Sequence, residues 1–155
     1  MSNVERELPW SWHRSPGWRG QFDRLRRWHE RLHRAANPTD LEDYLYAFFQ
    51  NCGHLRDWLP PEEFDPKSVA QLFDKSADLQ LARDISNMTK HFELSRPAAT
   101  GREPSLAREY VGRGRGCFGT DSSLVVLSRG EKHDALELAQ RCLRAWKAFL
   151  ESRTV

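Results

Sequence analysis

Residues 39–59 read TDLEDYLYAFFQNCGHLRDWL. Thr39 followed by Glu42 makes a capping box, in which each polar side chain satisfies an open backbone amide at a helix start. Leu41, Leu45, Phe48, Cys52, Leu55 and Leu59 then recur at intervals of 4, 3, 4, 3 and 4. That rhythm keeps apolar side chains on one face of a helix with about 3.6 residues per turn. Asp40, Glu42 and Asp43 sit in the first turn, where the helix dipole favours negative charge. Pro60-Pro61 stops the run, because proline lacks the amide that would continue it. An amphipathic helix this well bounded needs other helices to bury its stripe, so the fold is expected to be mainly α.

Upstream, Phe22, Leu25, His29, Leu32 and Ala36 define a face of a second helix, expected over Gln21–Ala36 and ended by Asn37-Pro38. Arg24, Arg26, Arg27, Arg31 and Arg34 fill much of its remaining surface. Residues 1–20 hold Pro9, Pro16 and three tryptophans (Trp10, Trp12 and Trp18), and read as an irregular arm. Downstream, Asp65-Pro66 is an N-cap with proline at the first helical position. A helical stretch follows through Val69, Leu72 and Phe73, and Ser76 is placed to recap a helix carrying Leu81, Ile85, Met88 and Phe92. One kinked helix and two separate ones both fit residues 66–95. Residues 96–109 look loop-like. Glu109-Tyr110-Val111 and Ser123–Leu127 look like strands on either side of the Gly-Arg repeat Gly112–Gly116. A closing helix is expected from Asp134 to Glu151, buried through Leu136, Ala139, Leu143, Trp146 and Leu150, with Cys142 and Phe149 at its margins. The whole is expected to be a bundle of four or five helices with a small β-hairpin before the C-terminal helix, one domain over residues 21–155.

With 155 residues, 39% hydrophobic and 30% charged, the chain has the means to bury a core without staples. A net charge of +2 argues against a strong global pull on nucleic acid or anionic lipid. No apolar run approaches the roughly 20 residues that span a bilayer, and residues 1–20 lack a hydrophobic signal-peptide centre. Cys52, Cys117 and Cys142 are an odd number without metal-like spacing, so a disulfide framework is not expected and a cytoplasmic location is. Charge is nevertheless uneven: residues 21–36 are arginine-rich, and residues 40–65 are acidic apart from Arg56. Attraction between the two helices is the simplest consequence, and a basic docking surface is the functional alternative.

Several polar residues share faces with the apolar stripes. Asp84, Asn87 and His91 fall three and four apart, beside Leu81, Met88 and Phe92. Asn51, His54 and Trp58 do the same beside Leu55, and His29 stands among apolar neighbours. Three packed helices would bring His29, His54 and His91 near one another. Half-buried polar groups need partners, so a network that fixes helix register is one reading. Acid–base chemistry is the other, because imidazole titrates near neutrality. In that scheme His91 is general acid or base, Asp84 orients it and His54 is the second acid or base. Asn51, Asn87 and Lys90 would then bind the substrate and its scissile phosphate. No Glu-x-x-His pair on facing helices supports a metal, and no cofactor is implied. The Gly112–Gly116 repeat lacks the lysine and helix of a phosphate-binding P-loop.

The segments Asn51-Cys-Gly-His54-Leu55-Arg-Asp57-Trp58 and Asp84-Ile-Ser-Asn87-Met-Thr-Lys90-His91 together resemble an uncharacterised group of small bacterial helical proteins, over roughly residues 40–150. The chain is also similar, more loosely, to HEPN-like bundles, whose members are often ribonucleases of toxin or defence systems and use an Arg followed closely by His. Arg24 and His29 fit that order; Arg83 and His91, eight apart, do not. The resemblance implies a metal-independent RNA-cleaving or RNA-binding protein. The alternative is a non-catalytic helical adaptor or regulatory module that binds a protein partner. A homodimer is compatible with either, and a membrane partner with neither.

Overall fold

The computed structural model describes residues 17–89, 103–116 and 121–153. Five α-helices carry the fold: α1 (Gly17–Leu32), α2 (Pro38–His54), α3 (Pro66–Lys75), α4 (Ala77–Met88) and α5 (Ala135–Glu151). Three strands, β1 (Ser105–Tyr110), β2 (Ser122–Ser128) and β3 (Glu131–Asp134), form an antiparallel sheet in the order β1-β2-β3 just before α5.

Local chemistry accounts for the boundaries. Asp65 caps α3 by accepting from the Lys67 amide, and Ser76 caps α4 by accepting from the Leu79 amide. The recap at Ser76 therefore makes two helices of residues 66–88. Asp134 caps α5 through the Glu137 amide. The α2 cap differs from the Thr39–Glu42 box: Asn37 accepts from the Asp40 amide at 2.9 Å, and Pro38 takes the first helical position. Asn37-Pro38 thus starts α2 rather than ending α1. The α2 stripe also changes form at its end, where Leu55–Trp58 tighten into a 3₁₀ turn. Residues 17–20, assigned to the arm, instead open α1, so only residues 1–16 of that arm lie outside the described residues.

The hairpin is larger than expected. Leu106 to Glu109 belong to β1, which reaches back to Ser105, and β3 adds a third strand with Ser128 opposite Glu131. Arg129 and Gly130 make the two-residue turn between β2 and β3, with φ of 54° and 77°. Two left-handed residues in a row suit the twist of a tight hairpin. Leu124, Val126 and Ser128 are buried on one face of β2, and Leu124 and Val126 join the helical core.

α2 is the central rod. It packs most extensively on α4, and also against α1 and α5. Gly53 permits that closeness: a Cβ there would lie 2.7 Å from both Cβ and Oγ of Ser86 on α4. Leu45, Phe48, Phe49, Cys52, Leu79, Leu138, Cys142 and Trp146 fill the centre, all at 1% exposure or less. Cys142 lies inside the α5 stripe rather than at its margin, and Leu136 and Leu143 are only half-buried. The inward face runs through Ala135, Leu138, Ala139, Cys142, Trp146 and Leu150: Ala139, Trp146 and Leu150 are buried as expected, while Ala135, Leu138 and Cys142 take the places of Leu136 and Leu143. Trp146 donates its indole N–H to the Cys52 carbonyl at 3.1 Å, and Arg141 clamps Asp78 with two hydrogen bonds of 3.0 and 3.1 Å. Among the described residues no helix is long and apolar enough to cross a membrane.

Candidate nucleic-acid interface

α1 and α2 run antiparallel: Gln21 meets Asn51, His29 lies against Phe48, and Trp28 against Tyr44. This pairing decides where the polar seam goes. Gln21, only 3% exposed, donates to the Asn51 side-chain oxygen at 3.0 Å. The Asn51 amide nitrogen donates to the Ala47 carbonyl at 2.7 Å, and Arg24 donates to the Gln21 oxygen at 2.7 Å. Asn51, expected to hold substrate, is thus tied into a chain that fastens α2 to α1 and aims Arg24.

His29 is buried against Phe48, with the His33 ring 4.7 Å away. Phe48 and His54 are six residues apart on α2, which is about 9 Å along the axis and about 120° round it. The antiparallel packing therefore does not gather His29 with His54. Burial, then the neighbouring His33, lowers the His29 pKa below 6.5, while Glu30 and Gln140 pull it the other way. His54 is half-buried with its Nε2 inside, and Asp84 is 1% exposed. Asn87, one turn along α4 from Asp84, faces solvent. Lys90 and His91 lie outside the described residues. Among the described residues no three His, Cys, Asp or Glu side chains group to hold a metal ion.

The feature that does present an accessible array is the outer side of α1. Leu25, His29 and Leu32 face the core. On the opposite side Arg24, Arg27, Arg31 and Arg34 succeed one another at intervals of 3, 4 and 3, all exposed. Arg24 to Arg31 covers about 10 Å of helix; Arg34 follows in the turn beyond, its amide bonded to the Arg31 carbonyl at 3.0 Å. The acids of α1, Asp23 and Glu30, fall on the adjoining flank, where Asp23 pairs with Arg26 at 3.7 Å. Two of the four guanidiniums are steadied. Arg24 is held by Gln21, and Arg31 lies 4.5 Å from the centre of the Trp28 ring.

Attraction between the basic α1 and the acidic start of α2 would consume this charge, but the acids go elsewhere. Glu42 pairs with Arg108 on β1 at 3.6 Å, and Asp40 accepts from Asn37 at 2.9 Å. Among the described residues no carboxylate lies within 4.0 Å of Arg24, Arg27, Arg31 or Arg34. The signal for this line was present in the sequence as the 24, 27, 31, 34 spacing. A basic docking surface was there the alternative to attraction between α1 and the acidic start of α2. No protein-family model, curated protein or solved structure matches the chain.

Proposed function

We propose that the chain is an RNA-binding protein that grips a phosphate backbone with the outer face of α1. One observation carries this reading: four exposed arginines in a row, without a carboxylate partner among the described residues, on a helix whose opposite face is locked into the core. Arginine suits phosphate because its planar fork donates two parallel hydrogen bonds and keeps its charge. The Arg31 and Trp28 pair adds a flat surface of the kind on which unstacked bases of single-stranded RNA lie. The net charge of +2 makes this a local contact and not a field spread over the molecule.

Binding, and not cleavage, is the activity proposed. Of the acid–base groups expected from the sequence, His54 has its Nε2 buried, Asp84 is nearly sealed and His91 lies outside the described residues, whereas the arginines of α1 are open. Fluorescence anisotropy with a short single-stranded RNA tests the reading. The double variant Arg27→Glu/Arg31→Glu should bind about tenfold or more weakly than wild type, since two phosphate contacts are lost and like charges introduced. Both positions are exposed, so the melting temperature should hold. Equal affinity in a folded variant would remove the interface from α1.

A further inference from the structure

A second basic site lies at the N-terminal end of α1, away from the arginine line. A cavity of about 220 Å³ opens there between α1, the turn at residues 60–64 and the end of α5, lined by Trp18, Arg19, Glu63, Phe64, Leu150 and Arg153. Phe64 and Leu150 are 2% and 4% exposed and give it an apolar wall. Trp18 stands edge-on to Phe64 at 5.2 Å, and Phe64 stacks on Phe149 at 6.0 Å. Two guanidiniums arrive from opposite ends of the chain: Arg19 lies 4.3 Å from the Trp18 ring centre and Arg153 5.5 Å from that of Phe149. Neither has a carboxylate within 4.0 Å among the described residues. Glu63, the one acid on the cavity, accepts the Trp18 indole N–H at 2.9 Å, and the lining then carries two positive charges against one negative.

A cavity with one apolar wall, two arginines and a single carboxylate carries a net positive charge, which favours an anion attached to a planar or apolar body. The α1 dipole is positive at this end and acts in the same sense. The volume is below the roughly 300–1,000 Å³ of drug-sized sites, which limits the occupant to about one nucleotide. Charge then chooses between the two kinds of phosphate in a nucleic acid. An internal phosphodiester carries one negative charge, whereas a phosphomonoester carries about −1.5 to −2 near pH 7. Two arginines on one cavity match the monoester.

We propose that this cavity binds the phosphomonoester-bearing nucleotide at an RNA strand end, an assignment that rests on the reading of α1 as an RNA-binding face. The same chemistry is offered by a free nucleoside monophosphate. Anisotropy with one RNA sequence bearing a 5′-phosphate, a 3′-phosphate or hydroxyl ends tests it. One phosphorylated form should bind about tenfold tighter than the hydroxyl form. Arg153→Ala and Arg19→Ala should each bring that ratio to one, leave hydroxyl-ended binding unchanged and keep the helical circular dichroism. A wild-type ratio of one, or a ratio that survives both substitutions, overturns the proposal while leaving the α1 reading intact. Should wild type bind no RNA at all, the α1 reading falls, and titration with a nucleoside monophosphate decides the cavity. A shift of the Trp18 indole N–H resonance that is lost in Arg153→Ala supports it, and an unmoved resonance overturns it.

Discussion

His29 is held neutral by its surroundings. Its ring is packed against Phe48, its Nε2 is buried without a hydrogen-bond partner among the described residues, and burial with the adjacent His33 lowers its pKa in the fold. Because the unfolded chain takes up the proton more readily, stability should be complete above pH 6.5 and fall as the pH drops through and below that value. Urea unfolding at a series of pH values should show this loss in wild type, and His29→Leu should flatten it; an unchanged pH profile in the variant would assign the acid sensitivity elsewhere. Gly53 makes a second residue-level claim. A methyl group there would press on Ser86, so Gly53→Ala should cost about 1–3 kcal/mol through overpacking. Adding Ser86→Gly should recover part of that loss beyond additivity, and strictly additive losses would show that the two residues do not oppose each other.

At the level of elements, most starts and stops were legible because they rest on chemistry local to the chain. Asp65 and Ser76 each cap the helix they were expected to cap, and Asp134, expected as the first residue of the closing helix, caps it. Asn37 displaced Thr39 because proline at the next position already presets the helical φ, so the earlier cap wins. The third strand was not legible. Its turn uses Arg129 before Gly130, without the Asn or Asp that usually marks two left-handed residues, and its residues Glu131 to Asp134 carry charge instead of alternation. The part of the polar seam on α1 and α2 departs from expectation for a different reason. Spacing along a helix says which residues share a face and not which helix that face meets. Asn51 met Gln21 instead of a histidine. His54 is half-buried with its Nε2 inside, so His54→Ala should lower the melting temperature by several degrees and leave RNA affinity unchanged, as checked by calorimetry and anisotropy on the same sample. A weaker affinity at unchanged stability would return His54 to the binding site.

Across the whole molecule, α2 and α5 close the core around Trp146, which touches Phe73 and Phe149 and bonds the Cys52 carbonyl. Trp146→Ala should therefore cost about 3–5 kcal/mol in denaturant unfolding, and a loss below about 1 kcal/mol would deny it that central place. The helical class and the closing helix could be foreseen because apolar periodicity reports burial directly. The basic face of α1 was legible as an alternative docking surface, but which alternative holds depends on where the acids of α2 turn in three dimensions: Glu42 went to Arg108 on the sheet. That redirected charge is the basis of the functional reading, and salt reports on it most directly. The affinity of wild type for single-stranded RNA should fall linearly on logarithmic axes as salt rises, and Arg27→Ala/Arg31→Ala should reduce the slope by about 1.4, two contacts at about 0.7 each. A slope equal to that of wild type would mean that these arginines touch no phosphate, and the account of α1 as the RNA-binding face would be wrong.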